Sequence, residues 1–284
     1  MTQSLVYIKR MRSDMLRIIT EPWAYEFFPR AVVACVIVMV LGALAGVSVR
    51  SQRQVYLGQG VGQSMLAGGA AASLAGVGSF AASAASALVA AAAIAWLARD
   101  RRTGIDVAIA IVASTLLALG VTALSIGRTQ AVNTTNLLFG NVLGTTWSQI
   151  STGIVVTIGA GTFFVGKARK LALIGLSSEV ASAHGVRVRR LEVVQIIMVA
   201  LSVATFVQVA GTLLAIVALV IPTAVAHCWS KSIVGLHIIG VVVGVVTAIV
   251  GLYVSYWSDV PSGPALTLAS AVMYMFSAAV TRQR

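Results

Sequence analysis

AVVACVIVMVLGALAGVSV, residues 31–49, is an uncharged apolar run that lies between two arginines. A helix that crosses the core of a bilayer needs about 20 such residues, so this run predicts a transmembrane span. Similar runs recur along the chain, at 56–77, 80–97, 105–125, 148–166, 191–207, 210–226, 233–255 and 264–281. Each should be helical, because a lipid-facing backbone must satisfy its own hydrogen bonds. We therefore predict an all-α, polytopic integral membrane protein with nine transmembrane helices, or eight if 191–207 or 210–226 is a short re-entrant piece.

The composition excludes a soluble protein. Of 284 residues, 58% are hydrophobic and only 10% are charged, and the mean hydropathy is +0.95. A soluble domain carries about 25% charged residues. The net charge of +12 raises the question of nucleic acid, but lysine and arginine fall in short clusters between the apolar runs. That pattern is typical of cytoplasmic loops, so we expect no nucleic-acid binding.

The clusters also predict an orientation. If the tail with Arg282 and Arg284 is cytoplasmic, alternation of the spans places most of the loop lysines and arginines on the cytoplasmic side. Arg128 is then the only cation in the internal loops of the opposite side. We therefore expect a cytoplasmic C-terminus. The N-terminal segment conflicts with this, because nine spans place it outside although it is basic. Residues 1–30 mix these charges with apolar and aromatic residues, which indicates an amphipathic, interfacial segment. Eight spans would instead return it to the cytoplasm.

No motif in the sequence predicts an enzyme or a resident cofactor. The stretch from Gly161 to Ala168 fits G-x-x-x-x-G-K, but a phosphate loop needs Ser or Thr where Ala168 stands, and this stretch ends an apolar run. The histidines, His184, His227 and His237, have no partner at motif spacing. If ATP drives this protein, we expect a separate chain to bind and hydrolyse it.

Two glutamines interrupt an otherwise lipid-compatible stretch, GQGVGQSMLAGGA, residues 58–70. Gln59 and Gln63 are four positions apart, so they share one face of a helix. One interpretation is hydrogen bonding between helices, worth about 0.6–2 kcal/mol per contact. The other is that they line a pathway through the membrane. The residues alone do not favour either interpretation.

Five stretches, in matching order and spacing, resemble the permease subunits of ATP-binding-cassette importers for zinc, manganese and iron ions. They are GIDVAIAIVASTLLALG (104–120), LLFGN (137–141), SSEVASAHGV (177–186), ALVIPTAVA (218–226) and SDVPSGPA (258–265). The last one resembles the late D-x-P-x-G-P loop of that family. The resemblance implies a single permease domain over 1–284, in the bacterial plasma (inner) membrane, that is not itself an enzyme.

The resemblance also implies partners and a coupling segment. These partners are a second permease copy in a homodimer, a cytoplasmic ATP-binding-cassette ATPase, an extracytoplasmic substrate-binding protein, and membrane lipid. The cytoplasmic loop 167–190 is then the coupling loop that contacts the ATPase. Within it the residues that match the family's coupling segment are Glu179, Ser182, Ala183 and Gly185. Their expected role is to carry nucleotide-driven closure of the ATPase to the permease and so to power alternating access.

The sequence departs from the family where the ion should pass. The family usually reads G-D-x-x-x-H-A there, whereas this chain has Gln59 for Asp, Gln63 for His and Ser64 for Ala. The resemblance implies that these three residues line the substrate pathway. Manganese or zinc is the implied cargo, but amides offer an ion oxygen without charge. A chelated or non-metal cargo, or a membrane scaffold without transport, is therefore the alternative, and the metal ligands remain unknown.

Overall fold

The computed structural model describes residues 20–75, 79–99, 104–126 and 142–282, and its regular elements there are helices. After a 3₁₀ turn at Pro22–Ala24, the helices in chain order are α1 Phe27–Ser51, α2 Leu57–Ala75, α3 Ser79–Leu97, α4 Ile105–Ile126, α5 Trp147–Leu176, α6 Ser178–Ala183, α7 Val188–Trp229, α8 Ile233–Ser258 and α9 Ser262–Arg282. A second 3₁₀ turn, Val142–Gly144, precedes α5. The predicted all-α polytopic fold is confirmed.

Helix α7 is a helical hairpin and not a single rod. It has 42 residues, and its backbone leaves helical geometry at Gly211, where φ is 77° and ψ is 174°. A Cβ added to Gly58 on α2 would lie 3.8 Å from both Val203 Cγ2 and Leu219 Cγ. In a straight helix those two residues would be about 24 Å apart. The chain therefore reverses at Gly211, between Val188–Val209 (α7a) and Leu214–Trp229 (α7b).

The described helices make nine traverses when α7a and α7b are counted separately. Six of them are long and apolar enough to cross a membrane, and α7b and residues Ala81–Leu97 are shorter apolar helices. The ninth, α2, is less apolar because it carries two glutamines and several glycines. The predicted range of eight or nine spans is confirmed, and the uncertain pair 191–207 and 210–226 corresponds to α7a and α7b.

The traverses alternate between two ends of the bundle, which we name by composition. At the aromatic end, Trp23 Nε1 donates to the Tyr253 hydroxyl at 2.8 Å, and the ring centroids of Phe28 and Tyr253 are 5.4 Å apart. The opposite, basic end holds most of the described cations, which are Arg50, Arg53, Arg99, Lys167, Arg169, Lys170, Arg187, Arg189, Arg190, Lys231 and Arg282. Residue 20 and residue 282 therefore lie at opposite ends.

Helix α1 packs closely on two neighbours. A Cβ on Gly42 would lie 2.5 Å from the Ala218 carbonyl oxygen, and one on Gly46 would overlap the carbonyl oxygen of Leu219. On another side, the Met39 carbonyl oxygen lies 3.0 Å from a Cβ added to Gly244 of α8. Glycines spaced four apart allow such approach, so α7b and α8 both pack against the backbone of α1.

Two segments differ from the sequence-based boundaries. Helix α5 continues ten residues beyond the predicted span, through Lys167 to Leu176, so the first part of the expected loop 167–190 is helical. The G-x-x-x-x-G-K stretch lies inside this helix, which excludes a phosphate loop. Most of the expected interfacial segment 1–30 lies outside the described residues, and its described part holds the 3₁₀ turn and the start of α1.

Candidate functional site

The two glutamines that were predicted to line a pathway lie on the face of α2 between its contacts with α4 and α7. Gly60 on one side packs toward Ile109 of α4, and Gly62 on the other packs toward Thr212 of α7. Gln59 and Gln63 are both half-buried, and neither side-chain amide has a hydrogen-bond partner among the described residues. The predicted shared face is thus present, and it is open on the outside of this chain.

Ser64 does not share that face. It is fully buried, and its hydroxyl donates to the Val61 carbonyl at 2.6 Å on the same helix. Its own carbonyl accepts a hydrogen bond of 3.0 Å from the Ser86 hydroxyl of α3. The geometry therefore assigns Ser64 to the contact between α2 and α3 within this chain.

The predicted coupling residues lie together on α6, at the basic end. Ser177 caps this six-residue helix by accepting from the Val180 backbone N–H at 3.3 Å. Glu179, Ser182 and Ala183 are exposed, and their spacing places them on one face. Ala181, on the opposite side, is fully buried.

Gly185 ends α6 in a Schellman motif. Its own N–H donates to the Ser182 carbonyl at 2.9 Å, and the Val186 N–H donates to the Ala181 carbonyl at 3.1 Å. The φ of Gly185 is +74°, a left-handed conformation that glycine adopts without a Cβ penalty. The glycine therefore defines where α6 stops and the chain turns toward α7.

Apolar side chains are exposed beside α6. Leu176, the last residue of α5, is 84% exposed, and Val180 is 47% exposed. At the basic end these two residues lie next to charged groups, beyond the apolar part of the bundle. These two apolar side chains are accessible to another protein at this end.

A cavity of about 750 Å³ lies between α6 and the ends of the long helices. It is lined by the turn after α1, the ends of α3 and α5, the starts of α4 and α7, and α6. Its charged residues are Arg53, Arg99, Glu179, Arg189 and Glu192. Gln59 and Gln63 are not among its lining residues, so it is distinct from the glutamine face of α2.

A chain of amides beside this cavity is the feature that the sequence reasoning missed. Gln52, Gln54 and Gln195 are linked in series by hydrogen bonds. The local signal was the pair of glutamines around Arg53, in a short turn between two apolar runs. The third member comes from a helix that is distant in sequence.

The histidines and acidic residues in the described part of the chain do not form a metal centre. Among the described residues no group of three or more His, Cys, Asp or Glu could hold an ion. His184 Nδ1 lies 2.8 Å from the Val180 carbonyl oxygen, and His237 Nδ1 lies 2.8 Å from that of Ile233. These two rings therefore make local backbone contacts on their own helices.

The described residues thus form a polytopic helical bundle with a short exposed helix at its basic end. The chain belongs to the ABC 3 transport family, whose sequence model matches residues 24–281. The resemblance to permeases of metal-ion ATP-binding-cassette importers is thereby confirmed. The manganese import system permease protein ScaB of Streptococcus gordonii is 25% identical over 257 residues, which cover 89% of this chain and 91% of that protein.

A second relative and two solved structures are also similar to this chain. The high-affinity zinc uptake system membrane protein ZnuB of Haemophilus influenzae is 25% identical over 256 residues, covering 89% of this chain and 97% of that protein. The structure of PsaBC from Streptococcus pneumoniae in complex with Fab has a TM-score of 0.77 at 21% identity, over 93% of this chain and 95% of that chain. An inward-facing putative metal-chelate type ABC transporter has a TM-score of 0.72 at 15% identity, over 89% and 86% of the two chains. These two likenesses show the fold.

Proposed function

We propose that this chain is the membrane-spanning permease subunit of an ATP-driven importer for manganese or zinc. The observation that carries the proposal is the family match over residues 24–281, together with relatives named for manganese import and for zinc uptake. A separate ATPase subunit hydrolyses ATP, and an extracytoplasmic binding protein delivers the ion. A second permease copy completes the pathway between the two chains.

The basic end is the cytoplasmic end in this proposal. The concentration of arginine and lysine there supports it, because cytoplasmic loops carry an excess of these residues. The C-terminus and α6 are then cytoplasmic, and the aromatic end receives the binding protein. Helix α6 docks on the ATPase through the exposed face of Glu179 and Ser182, flanked by the exposed Leu176 and Val180.

The half-buried face of Gln59 and Gln63 supports a pathway that two chains form together. It is open on the outside of one chain, where a second copy would cover it. A bare divalent ion in a medium of low dielectric costs on the order of tens of kcal/mol. Two neutral amides do not offset that cost, so the ion passes with part of its hydration shell. Closure of the ATPase would move this face between outward-open and inward-open arrangements.

A second candidate is import of a chelated metal or a non-metal cargo. It is favoured by the neutral amides at the pathway positions and by the absence, among the described residues, of a cluster of three metal-binding side chains. A chelate brings its own ligands and needs hydrogen-bonding groups from the protein instead of charge. A membrane scaffold without transport is the remaining alternative.

Uptake and co-purification test the proposal. Cells that lack this chain should lose uptake of radioactive manganese or zinc, and the wild-type chain should restore it. The chain should also co-purify with an ATPase whose hydrolysis depends on the permease and on a binding protein. Normal ion uptake in the deletion strain, with loss of a chelate's uptake, would favour the second candidate. An absence of any coupled ATPase would favour a scaffold.

The pathway role of the two glutamines has its own test. The double variant Gln59→Asp with Gln63→His adds one carboxylate and one imidazole, four residues apart on one face. Calorimetry of the purified protein should then register divalent-ion binding that the wild type lacks or makes more weakly. Gln208→His on α7 is the control. Unchanged binding in the double variant means that these positions do not touch the ion.

A further inference from the structure

The turn between α1 and α2 is bonded to two other helices through a chain of amides. Gln52 Nε2 donates to the Leu171 carbonyl of α5 at 3.3 Å. Gln54 Nε2 donates to Gln52 Oε1 at 3.1 Å, and Gln195 Nε2 of α7 donates to Gln54 Oε1 at 3.4 Å. Three side-chain amides thus connect α5, the turn and α7 in one series, which we call the amide chain.

The direction of the amide chain is determined at one end. The Leu171 carbonyl can only accept, so Gln52 must present its NH₂ group to α5 and its oxygen to Gln54. Gln54 must then direct its NH₂ group to Gln52 and its oxygen to Gln195, and Gln195 must direct its NH₂ group to Gln54. At the far end Gln195 Oε1 has no hydrogen-bond partner, although Gln195 is fully buried and Gln54 is 4% exposed. A buried acceptor without a donor destabilises the arrangement that contains it.

A reversed amide chain would pair that acceptor but would leave the Nε2 donor of Gln195 without a partner. If Gln54 turned its NH₂ group toward Gln195, it would present its oxygen to Gln52, which would have to turn its own NH₂ group away from Leu171. Gln52 Oε1 would then face the Leu171 carbonyl, and two acceptors repel each other. The contact of Gln52 with the end of α5 therefore prevents reversal of the amide chain. The observed direction of the amide chain therefore depends on the contact between Gln52 and the end of α5.

The amide chain lies where motion of α6 would reach α2. Helix α6 is held between α5 and α7, and these are the two helices to which the chain is bonded. The same junction is tightly packed, because a Cβ on Gly175 of α5 would overlap the carbonyl oxygen of Ser51. Helix α2 begins three residues after Gln54 and carries Gln59 in its first turn.

We propose that Gln54 is a positioning residue that transmits displacement of α6 to α2 by holding the amide chain between Gln52 and Gln195. The proposal rests on the proposed function, in which an ATPase acts on α6 and α2 borders the pathway. Gln54 touches neither ion nor nucleotide. Its role is to link the position of α5 and α7 to the position of the turn that starts α2.

Methionine substitutions separate transmission from stability. Gln54→Met and Gln195→Met keep side-chain length, and each leaves a buried partner unpaired. Gln54→Met should lower the thermal stability of the purified permease, and Gln195→Met should lower it less, because it also removes the unpaired Oε1 of Gln195. The double variant removes both amides, so it should recover most of that loss. Gln208→Met is the matched control, because it removes another α7 glutamine whose buried Oε1 is also unpaired.

The readout of transmission is ATP hydrolysis by the complex of this chain with its ATPase. Both single variants and the double variant should change the permease-dependent stimulation about threefold or more. Gln208→Met should leave it unchanged. If stimulation recovers in the double variant together with stability, the amide chain is merely structural and the proposal is wrong. Wild-type stimulation in Gln54→Met overturns it as well.

The outcomes also separate this proposal from the proposed function. The stimulation of hydrolysis does not depend on which cargo is carried, so failure of manganese or zinc uptake by the wild type leaves the comparison intact. If no ATPase co-purifies with the wild-type chain, both proposals fall together. Normal stimulation in the wild type that Gln54→Met does not alter overturns only the role of Gln54.

Discussion

Gly211 determines whether α7 folds as a hairpin, and replacing it gives a quantitative test of the fold. Its φ of 77° and ψ of 174° lie in a region that is essentially restricted to glycine. Holding an alanine there costs about 1–3 kcal/mol. The lower unfolded-state entropy of alanine offsets about 0.4–1 kcal/mol. We therefore expect Gly211→Ala to lower the free energy of unfolding by about 1–2 kcal/mol.

The assay is reversible unfolding of the purified chain in mixed micelles, followed by circular dichroism. Gly211→Asn should be destabilised like Gly211→Ala, because asparagine tolerates the left-handed helical region but not this more extended one. Gly159→Ala is the control, since Gly159 is in an exposed, helical part of α5 and a Cβ there meets nothing within 4 Å. That control should be as stable as the wild type or more stable, because alanine is the better helix former.

Wild-type stability in Gly211→Ala would refute the reasoning. It would mean that residue 211 can adopt a conformation open to L-residues while the contacts of Gly58 with both Val203 and Leu219 persist. A second measurement guards against a variant that fails to fold. In chains that keep Gly211, a cysteine at position 58 should cross-link to a cysteine placed at position 203 and, in a separate variant, to one placed at position 219.

Three further substitutions probe the packing of the bundle and the end of α6. Gly46→Ala should cost about 1–3 kcal/mol of unfolding free energy, because the new Cβ overlaps the Leu219 carbonyl and the helices must separate. Trp23→Phe should cost about 0.5–1.5 kcal/mol by the same assay, because it removes the hydrogen bond to Tyr253. Gly185→Ala should destabilise α6 by about 1–2 kcal/mol, measured as faster amide exchange within α6 while the other helices are unchanged. Gly185→Asn should destabilise α6 less, because asparagine tolerates the left-handed conformation better than alanine does. Equal amide exchange in the two variants would contradict the left-handed conformation of residue 185.

The span positions could be predicted from the sequence because each one needs only a long apolar run. Helix α1 extends a few residues beyond the predicted 31–49 at both ends. Helix α5 exceeds its prediction further, because lysine and arginine are good helix formers and do not stop a helix that leaves the bilayer. Hydropathy indicates where the apolar part of a span ends, but it does not locate the end of the helix, because a helix continues into water when packing supports it.

The hairpin in α7 and the amide chain illustrate what a sequence pattern leaves out. The gap between 191–207 and 210–226 indicated a break, but the reversal depends on the backbone angles of Gly211. Gln54 and Gln195 are 141 residues apart in the chain. Their contact depends on how α2 packs against α7a, which no local pattern contains.

The coupling segment was more accessible to sequence reasoning. The serine that caps α6 and the glycine that ends it are local signals with a known physical basis. The exposed positions of Glu179, Ser182 and Ala183 follow from their spacing on that helix. The contact between these residues and an ATPase stays a prediction, as does the contact of Gln59 and Gln63 with cargo.

The odd number of traverses between residues 20 and 282, counted over the described helices, has a consequence for how two such domains can be combined in one polypeptide. Thr20 and Arg282 lie at opposite ends of the bundle. A short linker from the C-terminal end of one domain to the N-terminal end of another would therefore have to connect opposite sides of the bilayer. A fusion of two copies would need an additional transmembrane helix in the linker to keep both copies in the same orientation. Two separate polypeptides do not need such a helix.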